Sequence, residues 1–397
     1  MIILKIKIVL IIFLCLLTSG CWNYNELNDF AIATGMGIDK YDDNYKVSLV
    51  ISNSQATQGS SREGEAQTTI FTGIGKSITE ALSNIDQKTP RNLYLGHLAV
   101  VVVDEELAKD DIDIVLESLT RNPETAKKYQ ITLAKDNKAE EILKTLSPLE
   151  SFPSQNISNA IVTSSSSESI TAESFVSDFI MTLLRPGVNG VMSSISIKGD
   201  KNEMDNQDDL KAAEPAAMLK TGPSGLFKEF RLVAWATENQ SLGINIVNNK
   251  TDRMHITNEV DGAKVVVLVD NAKCTPEITL GEKIEIVLNI KTSGAITEVS
   301  GDLNLQEPKI IEKLNKETQK SIKDMVYDGL NLAKKSKTDV FGFGNMIYKQ
   351  DYKHWYKIEN NWHNEYFPKV KIKVKVDVNL STKGSLENTI KEKRNER

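Results

Sequence analysis

Side chains that do chemistry are scarce in this sequence. It has three cysteines and four histidines among 397 residues. Cys15 lies inside an apolar leader and Cys274 stands alone, so neither a disulfide framework nor a thiolate metal cage can be assembled. Cys274 reads as a small buried hydrophobe, not a reactive thiol. His97, His255, His354 and His363 show no H-E-x-x-H spacing. His354 and His363 sit among Trp355, Tyr356, Trp362, Tyr366 and Phe367, which predicts an aromatic subcore with polar edges and no metal site. His97, just ahead of an apolar run, reads as a hydrogen-bonded structural residue. Positive charge is not in excess either. Lys and Arg total 48 against 54 Asp and Glu, a net charge of −6. Nucleic-acid binding needs basic patches that neutralise phosphates, so no nucleic-acid partner is expected. The basic tail (Lys391, Lys393, Arg394, Arg397) is mixed with Glu392 and Glu396 and reads as a solvated end.

Complete ligand and catalytic motifs are missing too. Gly73-Ile-Gly75-Lys76-Ser77 ends like a P-loop, but Ile70 stands where the first glycine belongs. A turn into a helix capped by Ser77 explains these residues. The acidic stretches 39–43 and 200–209 lack the glycine placement of a calcium loop. Ser224, in Gly222-Pro-Ser-Gly225, lacks the G-x-S-x-G frame of a nucleophile elbow. No nucleophile, base and orienting group can be named together. The expectation is therefore a protein without catalytic residues, cofactor or metal.

The N-terminus is more informative. Lys5 and Lys7 precede an apolar core from Ile8 to Leu17, followed by Thr18-Ser19-Gly20-Cys21. This is the layout of a secretory signal. As a helix the core is only about 15 Å long, against about 30 Å of bilayer hydrocarbon. Cleavage is thus favoured over a spanning anchor, the alternative that Ile2, Ile3 and Leu4 keep open. Ser19-Gly20-Cys21 resembles a bacterial lipobox, with Thr18 where that motif prefers leucine. The resemblance implies cleavage between Gly20 and Cys21 and a diacylglyceryl group on the Cys21 thiol. Two acyl chains hold a protein stably on a membrane, and a membrane-confined partner then meets it at high effective concentration.

Along the mature chain, 40% hydrophobic and 26% charged residues predict globular structure, and the length predicts two or three domains. Alternating strands at 30–38 and 45–51 form a hairpin around an Asp/Asn-rich turn. A polar Gly/Ser-rich loop spans 52–67. Ser77 and Glu80 make a capping box for a helix. Residues 97–103 read as a strand buried on both faces, followed by a helix over 104–119, a strand at 129–133 and a short helix at 139–146. Serines 164–167 break the pattern. A helix at 174–184 stops at Arg185-Pro186-Gly187, and a strand follows at 191–197.

The second half predicts strands at 216–219 and 227–235, a helix at 238–247, and strands at 265–269 and 284–290. A long amphipathic helix runs from Pro308 to Lys335. The last strand is the clearest: Val370, Ile372, Val374, Val376, Val378 and Leu380 alternate with Lys371, Lys373, Lys375, Asp377 and Asn379. Its lysines read as aggregation control on an exposed face, with lipid headgroups or an acidic partner as the alternative. The fold class expected is α+β, multi-domain, with mostly antiparallel sheets, packed helices and about three domains. The expected segments are a signal peptide (1–20), an N-terminal mixed α/β domain (21–198) and a polar linker (199–212). They continue with a small middle domain (213–260), a C-terminal α+β domain (261–386) and a charged tail (387–397).

Taken as an ordered set, these segments resemble the C subunit of spore germinant receptors, the Ger(x)C lipoprotein family. The similarity is carried by Gly20-Cys21-Trp22-Asn23, Glu26-Leu27 and the run from Phe30 to Lys40. It continues through Ser77 and Glu80-Ala81-Leu82, then Gly96-His97-Leu98 with Glu105-Glu106-Leu107-Ala108. Gly225-Leu226-Phe227-Lys228, Leu232-Val233-Ala234-Trp235, Asp339-Val340-Phe341-Gly342-Phe343-Gly344 and Trp362 with Phe367-Pro368 complete it. Asn23 stands where the family usually has aspartate. The resemblance implies a non-catalytic peripheral subunit on the outer face of the spore inner membrane. It would be anchored in lipid through Cys21 and accompany two integral membrane subunits, A and B. The competing expectation is a solute-binding lipoprotein that delivers a small molecule to a transporter; an exported hydrolase is a distant third.

Overall fold

The structure, a computed structural model, describes residues 6–7, 29–53, 67–110, 112–122, 125 and 128–381. Apart from residues 6–7, the signal peptide lies outside the described residues, as do Cys21, the centre of the Gly/Ser-rich loop and the charged tail.

The first half begins with β1 (Phe30–Tyr41), β2 (Asn44–Ser52) and β3 (Thr68–Gly75), then α1 (Ile78–Asp86) and the short β4 (Asn92–Tyr94). Next come β5 (Val100–Asp104), α2 (Glu105–Asp110), α3 (Asp113–Arg121), β6 (Gln130–Ala134), α4 (Ala139–Lys144), α5 (Pro153–Ser167), α6 (Val176–Leu183) and β7 (Val191–Gly199). The chain continues with β8 (Ala217–Lys228), β9 (Arg231–Trp235), α7 (Glu238–Val247), β10 (Arg253–Val260), β11 (Ala263–Thr279) and β12 (Glu285–Ser300). It closes with α8 (Pro308–Ser336), α9 (Phe343–Gln350), α10 (Tyr352–Ile358) and β13 (Lys371–Ser381).

Two sheets organise these elements, as an α+β fold requires. The larger has nine strands in the order β3-β2-β1-β5-β6-β7-β8-β9, with β4 beside the start of β1. Its flanks are antiparallel. Its centre, β1-β5-β6-β7, is parallel. A parallel centre needs cover on both faces, and Val100–Val103 show why. Val101 and Val103 point into one core with α1, α3 and α6. Val100 and Val102 point into a second core with α4 and α5. The all-apolar run is thus a strand with no wet face. The smaller sheet, β10-β11-β12-β13, is covered on one side by α7 and α8 and open on the other.

The polar stretch 199–212 is not a boundary between packed units. It links β7 to β8, which pair antiparallel from Gly199↔Ala217 onwards. Residues 213–260, expected as a small middle domain, divide between the sheets. β8 and β9 complete the larger one, while α7 and β10 belong to the core of the smaller.

Several elements differ from their sequence expectation for local reasons. The helix expected over 104–119 is two, α2 and α3, and the Ile112 amide donates to Phe230 O of the neighbouring strand connection, 2.9 Å. The serine cluster is the last turn of α5, where Ser166 and Ser167 hydroxyls donate to Thr163 O; such back-bonding lets serine end a helix. β10 escaped detection because Asn258 occupies an inward position. Its amide is satisfied there by Thr318 Oγ1 (2.9 Å) and the Ser321 hydroxyl (3.1 Å). β11 and β12 run well past their expected ends, through register shifts near Val266 and Asp270.

Candidate functional site

The chemistry that organises this protein lies where the two sheets meet. Asp339 is completely buried. Its carboxylate accepts from the amides of Phe341 (3.2 Å), Phe343 (3.2 Å) and Gly344 (2.7 Å) and from Trp362 Nε1 (3.0 Å). Burial lifts its pKa to about 6, and the four donors oppose that rise. The residue folds the Asp339–Gly344 loop around itself and pins it to the aromatic layer of Trp355, Trp362, Phe343 and Phe367.

That loop is clasped by the turn that follows α6. The Asp339 amide donates to Asn189 Oδ1 (2.9 Å), and the Asn189 amide donates back to Asp339 O (2.8 Å). The backbones run close enough to exclude side chains. A Cβ on Gly187 (φ +67°) would lie 2.8 Å from Gly344 Cα, and one on Gly344 would lie 2.7 Å from Gly187 O. The Pro186-Gly187 pair, read in sequence as a helix stop, is therefore also half of the joint between the sheets. The aromatic subcore expected around His354 and His363 is present, with Trp355 and Trp362 buried and Tyr356 exposed. Burial pushes the His363 pKa down to about 4.

A second buried carboxylate works in the same way. Asp39 accepts from the amides of Ala139 (2.6 Å) and Glu140 (3.0 Å), capping α4 from 100 residues away. Burial raises its pKa to about 6 despite these bonds. The neighbouring Asp104 pairs with Lys138 at 3.0 Å.

Beside the Asp339 clasp lies a cavity of about 330 Å3 between the halves, lined by Glu173, Asp178, Arg185, Lys250, Asn345 and Lys349 among others. A larger, open groove of about 730 Å3 runs between Gly281–Glu285 and α10. Sequence reasoning named neither, because their walls come from segments far apart in the chain.

The P-loop-like residues have a packing role. A Cβ at Gly73 would lie 2.1 Å from Ala81 O, so the glycine lets β3 press onto α1. Ser77 Oγ occupies the helix start by accepting from the Glu80 amide at 3.1 Å. Cys274 is buried, and burial pushes its thiol up to about 12, which keeps it inert at neutral pH. Among the described residues, no cluster of three or more His, Cys, Asp or Glu could hold a metal ion. Among the same residues, no helix is long and apolar enough to cross a membrane. Gly20 and Cys21 lie outside the described residues.

The chain matches two family models in succession. Residues 23–197 match a spore germination protein N-terminal domain. Residues 223–384 match the C-terminal domain described as spore germination B3/GerAC like. The chain belongs to this GerAC-like family of spore germination proteins. The two models cover most of its length, and the break between them falls at the β7–β8 excursion. Spore germination protein KC of Bacillus subtilis (strain 168) is 28% identical over 394 residues, 96% of this chain and 97% of that protein. Spore germination protein B3 of the same organism is 24% identical, covering 96% of this chain and 98% of that protein. The crystal structure of the GerBC protein shares the fold, with a TM-score of 0.54 and 16% identity over 90% of this chain and 99% of that one.

Proposed function

We propose that this GerAC-like chain is a lipid-anchored, non-catalytic subunit of a spore nutrient-germinant receptor. It is held through Cys21 on the outer face of the spore inner membrane. There it acts in assembly or signalling with two integral membrane subunits, A and B. The observation that carries the reading is family similarity along both halves, joined to a Ser19-Gly20-Cys21 exit that resembles a lipobox. The buried groups support it as well. Asp39, Asp339 and Cys274 are each explained by capping, loop closure or packing, so none is left poised as a nucleophile or base. A solute-binding lipoprotein would carry a parallel βαβ sheet in each of two lobes; here a run of parallel strands forms the centre of the larger sheet, and in the smaller sheet only β12 and β13 pair parallel.

Deleting the gene in a strain without a redundant receptor should abolish nutrient germination and leave a receptor-independent chemical germinant effective. Cys21→Ser should reproduce part of that defect, with the chain moving from the membrane fraction to the soluble fraction. Mass spectrometry of the native product should find the Cys21 sulfur acylated. Normal nutrient germination in the deletion overturns the receptor reading, and a bare Cys21 thiol overturns the anchor.

A further inference from the structure

Large apolar and aromatic side chains stand exposed together on one surface. Of the six most exposed among the described residues, four are Leu184 (67%), Tyr356 (63%), Tyr352 (56%) and Met181 (54%). Met181 lies on α6 and Leu184 caps that helix, one turn apart on its outer side, while Phe179 of the same helix is buried. Tyr352 and Tyr356 lie one turn apart on α10, their rings edge-on with centroids 6.4 Å apart. The two helices are neighbours. A Cβ on Gly187, three residues beyond Leu184, would lie 2.4 Å from Trp355 Cη2 of α10. Arg185 and Lys349 line one cavity between α6 and α9. A lone exposed leucine needs no explanation, but two such pairs on adjacent helices do. Cations surround them. Arg185, Lys349, Lys353 and Lys357 are exposed on these segments, against Asp178 and Asp351, in a chain whose net charge is −6.

This surface lies at the end of the molecule where β1 begins. Gly35, Val100 and Gln130 stand level in the parallel strands β1, β5 and β6. α6 crosses the amino ends of β6 and β7: the Val176 amide donates to Tyr129 O (3.2 Å), and Gly190, shortly after the helix, leads into β7. β1 starts five residues before Gly35, at Phe30, and so projects about 16 Å further at the same end. Asp29 is eight residues on from Cys21, a covalent reach of at most about 29 Å. A lipid on Cys21 therefore keeps a bilayer within that reach of this end.

We propose that the face formed by Met181 and Leu184 with Tyr352 and Tyr356 docks on the headgroup region of an anionic bilayer. The two aliphatic side chains enter the boundary between headgroups and acyl chains. The tyrosine rings sit at headgroup level with their hydroxyls wet. Arg185, Lys349 and the α10 lysines meet the lipid phosphates. A stable protein partner would bury about 800 Å2 of this chain around a contiguous dry centre; four apolar side chains interleaved with cations suit a bilayer surface instead. The tether at Cys21 limits distance, and this face sets which side of the folded chain looks at the membrane. The proposal rests on the anchor reading for the nearness of lipid, but its test supplies a tether of its own, so the two fail separately.

The mature chain would be coupled through Cys21 to a maleimide-bearing lipid in vesicles of equal parts phosphatidylglycerol and phosphatidylcholine; Cys274 is buried and does not compete. A photoreactive benzophenone amino acid would replace Met181, Leu184 or Tyr356 in turn. Ile74 is the control: it is also exposed, but stands level with the carboxyl end of β1 through Lys46 and Asp39. After irradiation, mass spectrometry should find phospholipid adducts at the three face positions and not at Ile74. Arg185→Gln should lower the Leu184 yield about fivefold, the effect of one cation beside an anionic bilayer, with an unchanged urea midpoint. Vesicles of phosphatidylcholine alone should lower it at least as far. Equal yields at Leu184 and Ile74, absence of lipid adducts at all three face positions, or yields indifferent to lipid charge each overturn the proposal. Protein adducts in place of lipid in spore membranes would assign the face to a partner subunit and overturn it as well. The acylation state of native Cys21 is a separate measurement that bears on the anchor alone.

Discussion

Asn189 and Asp339 exchange a reciprocal pair of hydrogen bonds, 2.9 and 2.8 Å, across the junction of the two sheets. Both residues are buried. The Asn189 side chain satisfies the Asp339 amide, and the Asp339 carbonyl satisfies the Asn189 amide. Asn189→Ala leaves the Asp339 amide without a partner in a dry site. The cost of an unsatisfied buried donor is about 1–3 kcal/mol, read as a lower urea midpoint. An unchanged midpoint would show that water replaces the asparagine there.

The Asp339 carboxylate should prove more sensitive still. Asp339→Asn keeps the size but turns an amide N–H2 toward groups that are all donors. Asp339→Ala strands the three amides and Trp362 Nε1 together. Both should destabilise, Ala more than Asn, by about 3 kcal/mol or more for the alanine. Trp362→Phe removes one donor and should couple non-additively with Asp339→Asn. Additive effects in that double-mutant cycle would contradict the contact.

Stability should carry an unusual acid response. Asp39 and Asp339 are raised by burial from 3.8 to about 6. Each binds its proton more tightly folded than unfolded. Their contribution is therefore full below about 3.8 and is lost as pH rises through about 6. His363 runs the other way. Held near 4 by burial, it contributes stability above 6.5 that is lost as pH falls toward 4. The two trends oppose each other in the parent chain. In His363→Gln, unfolding free energy should rise by about 1–2 kcal/mol from pH 7.5 to 5.5. Adding Asp339→Asn should remove about half of that rise.

The free edge of the larger sheet is guarded by side chains. Lys88 Nζ donates to Thr72 O at 2.7 Å, and Asn84 Nδ2 donates to Ile74 O at 2.8 Å. Both acceptors lie on β3, the edge strand, where unpaired carbonyls invite another chain. Lys88→Ala with Asn84→Ala should leave the urea midpoint nearly unchanged and speed aggregation, measured by light scattering at elevated temperature. Equal aggregation rates would assign the protection to another feature.

The edge strand β13 shows how far the sequence pattern reaches. Its alternation of valines and lysines already marked one dry and one wet face, and Lys371 pairs with Glu285 on the wet side at 3.2 Å. Its position was not legible. It runs parallel to β12, and α8 reaches over its edge through Tyr327 Oη and Asn315 Oδ1, which accept from the Val374 and Leu380 amides. The site was less legible than the fold. Asp339 appeared in sequence only within a family motif, and the cavity beside it carried no signal, because its walls come from segments far apart in the chain.

Periodicity and caps are local, and they were readable one segment at a time. Residue order alone marked the strand at Val100–Val103, the capped start of α1 and the span of α7 and α8. Tertiary structure decided what depends on distant meetings: that β8 and β9 close the first sheet, that Asp39 caps a helix 100 residues on, and that Asn189 clasps Asp339. The reason is physical. Local conformation follows from neighbours a few residues away, whereas a buried carboxylate is defined by the donors brought to it, and those come together only when the cores pack.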